Sequence, residues 1–517
     1  MPLRTSIYKQ KCTSSHSGYQ NVEWCFITCL GIGSMTTYPQ IANIAGVHGL
    51  LVYTSSSCLP ILAFALFAPI IRKKCPESFV LTEWCFQRFG KPCGYYLSLC
   101  TIFTMFLYMI SELTAIHDAI EALTGLDAMP CVIVQAIITT IYTAIGGFNV
   151  SFKTDVIQTL FVLVVLVIAI IAYATGIHID PAIKKETYHF MTGANKLGWM
   201  LLYLLNMAIL TNYMFLSNFW LRAFAAKTDH DLVVGCSIAT LALWIIITIC
   251  GIPGILAVWT GDLPIGSEDG YNAFYILCSK MDKWVIGVVL LYACVISTTC
   301  FDTMLSGMTS SISNDIFRNK INILWIRLIV AIVMVPALVI AIKCSANVLQ
   351  VFLIADLLSS AVIPILFLGL WDRLWFLDGI DVILGGLGGL LSVFIYGCIY
   401  YGTALEGAKL LLIENGMYDE NDWGAFGAFV CAPLFGVIIG FASAGLRIGV
   451  LYLISKKTGK PFTALDKPEP KDSSEISGED DIIIQTNINR IHEADDVDGV
   501  KSGHEYRPPS ITKHSIA

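Results

Sequence analysis

Uninterrupted apolar stretches of about 20 residues or more recur from residue 23 to residue 454. A stretch of that length crosses the hydrocarbon of a bilayer as a helix, because no water is present there to satisfy open amides and carbonyls. Polar breaks divide the stretches into about twelve spans, at 23–46, 49–71, 93–124, 128–148, 156–178, 199–221, 232–259, 284–312, 321–343, 347–371, 379–404 and 424–454. Only 14% of the residues are charged, against roughly 25% in a soluble domain. The expected fold class is an all-α polytopic membrane protein. A soluble enzyme and a disordered chain are excluded, and a formal charge of −7 leaves no basic footprint for nucleic acid.

Residues 1–22 contain no apolar run, so no cleavable leader is expected and the first span itself serves as the targeting signal. Lys and Arg fall mostly on alternate connections, about 17 against 7 by the positive-inside rule, with the richer side reading as cytoplasmic. Both termini are then expected inside. Segment 456–517 turns polar and acidic and is expected to be a disordered cytoplasmic tail. Its SSEISGEDD run at 473–481 suits phosphorylation or ubiquitin machinery. The sequon at Asn149 falls in a cytoplasmic connection and is expected to carry no glycan. Most of the 17 cysteines lie in apolar segments without CxxC spacing, where they act as small apolar side chains.

Four spans depart from plain lipid-facing helix. The first contains GIGSMTTYPQIANIAG at 31–46, with glycines, Pro39 and the polar residues Ser34, Thr36, Thr37, Gln40 and Asn43. Proline removes an amide donor and glycine loosens a helix, so a break is expected here. Freed carbonyls at membrane depth need protein, water or a ligand, and transporters place binding sites at such breaks. The sixth span repeats the theme with Asn206, Thr211, Asn212, Ser217 and Asn218. In the eighth, Cys294, Ser297 and Thr298 stand at i, i+3 and i+4 on one face, and two hydroxyls beside a carbonyl form a partial oxygen cage for Na⁺. Asp302, Glu112 in the third span and Asp356 in the tenth are intramembrane acids, which are expensive and therefore functional candidates.

Three segments carry a family likeness: IYTAIGGFNVSFKTDVIQ (141–158), FWLRAFAAK (219–227) and STTCFDTMLSGMTSSISNDIFR (297–318). In order and spacing they resemble the solute:sodium symporter family, and the nearest branch looks like the fungal and plant urea active transporters with their polyamine-handling relatives. The resemblance implies the leucine-transporter-type 5+5 inverted-repeat fold and alternating access, and a plasma-membrane address by the habit of the family. It implies a ten-helix core at 23–371, with repeats 23–178 and 199–371, followed by two extra helices at 379–455. Carried over, the cation site takes carbonyls near Leu30 and Gly33 and of Cys294, with the hydroxyls of Ser297 and Thr298. Asp155 matches an acid typical of the family, and with Asp302 it is the candidate for coupling or gating. Relatives usually carry one more helix before the broken one; here about 20 polar residues precede it. Cys29, Leu30 and Cys294 stand where small residues are usual, which a carbonyl ligand tolerates.

The expected function is a secondary active transporter that imports a small polar solute on a Na⁺ or H⁺ gradient, with no cofactor. Thr36, Thr37, Gln40 and Asn212 are the expected solute contacts, with Glu112 and Asp356 beside them. A urea-like solute suits Thr, Gln and Asn; a polyamine requires carboxylates. A transporter-like sensor that binds solute without moving it is the alternative of another class. An intramembrane hydrolase is excluded by the lack of an HExxH or GxGD pattern.

Overall fold

A computed structural model describes residues 31–75, 80–146, 161, 164–165, 167–226, 228–318, 320–343, 348–414, 420–459, 461–462 and 465–466. Residues 1–464 form one compact unit and 465–517 a second. Leu30, Asp155, the Asn149 sequon, the N-terminal segment before residue 31 and the 473–481 run lie outside the described residues.

In chain order the helices are α1 (Ser34–Lys74), α2 (Leu81–Thr124), α3 (Met129–Gly146), α4 (Val167–Gly176), α5 (Pro181–Thr192), α6 (Lys196–Phe215), α7 (Ser217–Ala225), α8 (Asp229–Trp259), α9 (Ala273–Ser279), α10 (Lys283–Ser311), α11 (Ile323–Lys343), α12 (Val348–Leu368), α13 (Gly379–Tyr401), α14 (Ala404–Leu411) and α15 (Gly424–Thr458). A 3₁₀ turn, Glu268–Asn272, leads into α9, and a π-helical turn, Ile312–Ile316, ends α10. Among the described residues nine helices are long and apolar enough to cross a membrane, and α3 and α4 are shorter apolar helices.

Helix α1 holds two of the expected spans. Its 41 residues would reach about 60 Å as one rod, twice the roughly 30 Å of bilayer hydrocarbon. The chain turns at Gly46, whose φ of 61° and ψ of −157° lie outside the helical region. No side chain fits there, because a Cβ on Gly46 would strike the Met191 carbonyl at the end of α5. Helix α2 bends likewise at Gly90, φ 82°, just before Pro92.

Small residues let backbones meet where hydrophobic burial gives no preference between lipid and protein. Gly254 of α8 faces the Pro39 carbonyl, and Gly251 faces Leu50, which seats α1 on α8. Gly385 and Gly389 of α13 pack on the α15 backbone at Gly436 and Ala432. The glycine run at 385–391 is thus a packing face. Arg447 of α15 donates to the fully buried Asp381 of α13 at 2.8 Å, and Ser443 donates to the same carboxylate.

The expected interruption of the sixth span is present. In the first span the described residues show a helix starting at Ser34 after a turn at 31–33, with residues before 31 outside the described ones, and Pro39 lies inside the continuous helix rather than breaking it. Pro39 is the sixth residue of the helix, so the Met35 carbonyl lacks its i+4 amide donor, yet the helix continues past it. The sixth span breaks at Leu216 (φ −73°, ψ 104°) between α6 and α7. The Trp220 indole N–H donates to the Met214 carbonyl at 2.8 Å, so an acceptor beside that break is satisfied by a side chain.

Candidate solute and cation site

The turn at 31–33 opens the first span, and its polar side chains complete it from within. Ser34 Oγ donates to the Gly31 carbonyl at 2.8 Å, and the Thr36 and Thr37 hydroxyls each donate to the Gly33 carbonyl at 2.9 Å. The amides of Thr36 and Thr37 reach that carbonyl too. A free amide at the front of the turn, Ile32 N–H, donates to Glu112 Oε2 of α2 at 3.1 Å. A carboxylate at a helix N-terminus is favoured by the open amides and the helix dipole. Glu112 is 2% exposed, and its Oε1 occupies the space that a Cβ on Gly31 would need. Glycine at 31 is what admits it.

Asp356 of α12 lies across the same cavity, 4% exposed. The Asn212 side-chain amide of α6 donates to Asp356 Oδ1 and to the Tyr108 hydroxyl. Asn212 Oδ1 is buried with no hydrogen-bond partner among the described residues. The cavity measures about 100 Å³, room for several water-sized groups. Aromatic rings wall it. Tyr38 stacks on Tyr53 at 4.2 Å and donates to Ser57 Oγ at 2.6 Å; Tyr108 leans on Phe352 at 4.7 Å; Tyr213 meets Phe219 edge-on at 4.4 Å. The lining has two carboxylates, and no Lys, Arg or His is among its residues.

Of the expected solute contacts, Thr37, Glu112 and Asp356 line the cavity, and Asn212 joins it through Asp356. Thr36 and Gln40 are buried on α1 but are not part of the lining. The tyrosine walls and Cys300 were not singled out in the sequence. Cys300 was legible in principle, since it follows Ser297 by three residues and so shares its face of α10.

The candidate cation ligands are spread along α10 and α1. Ser297 is fully buried, and its Oγ accepts from Gln135 Nε2 of α3 at 2.8 Å. Thr298 Oγ1 donates to the Cys294 carbonyl at 2.6 Å, which leaves the hydroxyl lone pairs free. The Gly33 carbonyl already receives four donors, two hydroxyls and two amides. Asp302, a turn further along, accepts from the Thr143 hydroxyl of α3, and next to it Thr303 accepts from Arg222 at 3.1 Å. Gln135 is a polar group inside an apolar span, a signal the sequence did carry.

With this geometry in view, residues 28–375 match the family described as the sodium:solute symporter family. The chain is 55% identical over 442 residues to the spermidine transporter DUR31 of Candida albicans, covering 85% of this chain and 84% of that one. It is 28% identical over 155 residues to the urea active transporter of Saccharomyces cerevisiae, covering 30% of this chain and 20% of that one. In structure it resembles a Na⁺-coupled sialic acid symporter in its substrate-bound outward-open state. That match has a TM-score of 0.61 at 16% identity and covers 86% and 95% of the two chains. A second likeness is to Mhp1, a nucleobase-cation-symport-1 family transporter in a closed conformation, with a TM-score of 0.53 at 10% identity, covering 88% and 95%. The shared architecture is the leucine-transporter-type helical bundle expected from the sequence.

Proposed function

The chain belongs to the sodium:solute symporter family, and from that premise we propose that its solute is a linear polyamine. Membership makes it an integral-membrane, cation-coupled symporter of a small solute, not an enzyme. The observation that carries the finer reading is the pair of buried carboxylates, Glu112 and Asp356, in one aromatic-walled cavity whose lining includes no basic residue. Carboxylates taken out of water are stabilised by counter-charge or by taking up a proton, and protonated amines supply counter-charge at both poles. The tyrosine and phenylalanine faces attract the same cations, while the methylenes between amines suit the apolar stretches of wall. Urea is neutral and leaves both charges uncompensated. The long likeness to a spermidine transporter supports this choice, whereas the likeness to urea transporters covers less than a third of the chain.

Solute and cation are coupled when each favours the same conformer. We place the coupling ion, Na⁺ or H⁺, near Ser297, Thr298 and the Cys294 carbonyl, with Leu30 and Gly33 contributing from the first span. Asp155 and Asp302 are assigned to gating. The division into a core at 23–371, two added helices at 379–455 and a regulatory tail belongs to the same proposal, as do cytoplasmic termini and a plasma-membrane address. The deciding experiment is uptake of labelled spermidine, putrescine and urea into cells lacking their own carriers, repeated with Na⁺ replaced by choline and with a protonophore. Spermidine uptake abolished by removal of one cation gradient is expected. Urea uptake without spermidine uptake overturns the reading, and binding without uptake points to a sensor.

A further inference from the structure

The two carboxylates are held in different ways. Asp356 is fixed by a side chain, the Asn212 amide, on a helix that runs through the level of the cavity. Glu112 is held chiefly against backbone: Oε2 accepts Ile32 N–H at 3.1 Å and Oε1 fills the space left open at Gly31, with the Cys300 side chain of α10 hydrogen-bonded to the same carboxylate. Both of its oxygens therefore lie against the turn that starts the first span. On its other side the turn meets Phe352, whose ring edge would stand 2.9 Å from a Cβ on Gly33. A cation drawn to Glu112 must share that carboxylate with the turn, whereas a cation drawn to Asp356 disturbs no backbone contact.

We propose that Glu112 is the latch through which solute occupancy reaches the first span, while Asp356 with Asn212 serves as the anchor. In the empty carrier the carboxylate restrains the 31–33 turn; an ammonium that takes over the carboxylate frees the turn to move. The inference rests on the polyamine reading and assigns different roles to its two poles. Glu112 acts on the chain as a positioning residue as well as touching solute, so its loss uncouples transport and does more than weaken binding.

The test uses the full-length protein in proteoliposomes with labelled spermidine, comparing exchange with accumulation against a gradient. Exchange by a variant also reports that it is folded. Glu112→Gln is expected to raise the KM for exchange by about tenfold, as loss of a charge-assisted contact does, and in addition its accumulation ratio at saturating solute falls toward equilibrium. Asp356→Asn is expected to raise KM by about tenfold or more, the loss of one charge-assisted hydrogen bond, yet to accumulate normally at saturating solute. Gly31→Ala, which displaces the carboxylate without removing it, should behave as Glu112→Gln. Adding Glu112→Asp, one methylene shorter, should restore accumulation. Normal accumulation by Glu112→Gln or Gly31→Ala overturns the latch, as does a Glu112→Gln defect confined to KM. Absence of any spermidine exchange in the unaltered protein overturns the polyamine reading and the latch with it.

Discussion

The side-chain amide of Asn212 on α6 donates to the carboxylate of Asp356 on α12, joining two helices 144 residues apart in sequence. The same nitrogen also reaches the Tyr108 hydroxyl of α2, so three helices meet at one polar point. Asn212→Leu removes the side-chain donor to Asp356 Oδ1 and leaves a buried carboxylate under-satisfied. Such a loss costs about 1–3 kcal/mol of stability, and a lower thermal midpoint is expected. Asn212→Asp, which sets two carboxylates side by side with no cation between them, should do worse. Thermal unfolding of the purified variants in detergent without added amine measures both.

Gly46 carries a positive φ and lies against the Met191 carbonyl. Gly46→Ala combines a left-handed-side backbone with a collision against main chain that has no flexible end to yield. A loss of about 2 kcal/mol or more is expected. Thermal unfolding in detergent should show a lower midpoint, and Gly445→Ala, whose Cβ meets nothing within 4 Å, is the comparison that should leave it in place.

Asn43 ties the 264–270 segment to the first span. Its Nδ2 donates to the Pro264 carbonyl and its Oδ1 accepts Ser267 N–H, each at 3.0 Å. Asn43→Ala removes both bonds. At about 1 kcal/mol net per bond, the loss of two bonds should make the loop amides exchange with deuterium roughly thirtyfold faster. Hydrogen exchange followed by mass spectrometry on the 261–272 peptide reads the change; unaltered protection there would show that other contacts hold the loop.

Ser297→Ala and Thr298→Ala remove the hydroxyls placed beside the Cys294 carbonyl, and Gln135→Leu removes the donor that occupies Ser297 Oγ. If those oxygens bind the coupling cation, the alanine variants raise the cation concentration for half-maximal uptake by about tenfold, one lost ligand each. Gln135→Leu, which frees an oxygen, should lower it or leave it in place. Uptake titrated against Na⁺ at fixed pH, and against pH at fixed Na⁺, measures the effect for each ion. An unchanged half-saturation in the double alanine variant removes the cage.

Particular residues show how far the sequence could be read. Glu112 and Asp356 stood out because an acid at membrane depth is costly whatever surrounds it, and both line the cavity. The glycines at 31 and 33 stand in the turn that precedes α1, while Pro39, expected to break the span, lies inside a helix that continues past it. Thr36 and Gln40 looked equal to Thr37 as solute contacts. Only Thr37 lines the cavity, because the rotation of α1 about its axis is set by its seat on α8, where Gly254 meets the Pro39 carbonyl. Tyr38, Tyr53, Tyr108 and Tyr213 were indistinguishable from ordinary apolar filling until four separate segments brought them together.

The amino-acid order by itself determined that the chain is helical, where its spans run and where they fail. Each of those outcomes follows from the free energy of one segment in lipid, which demands internal hydrogen bonds and excludes unpaired polar groups. Which oxygens face which, and that Glu112 holds the turn while Asn212 holds Asp356, was decided only in the tertiary structure. Lipid solvates every apolar helix face alike, so the rotation and approach of the helices are set by glycine contacts and buried hydrogen bonds between distant segments.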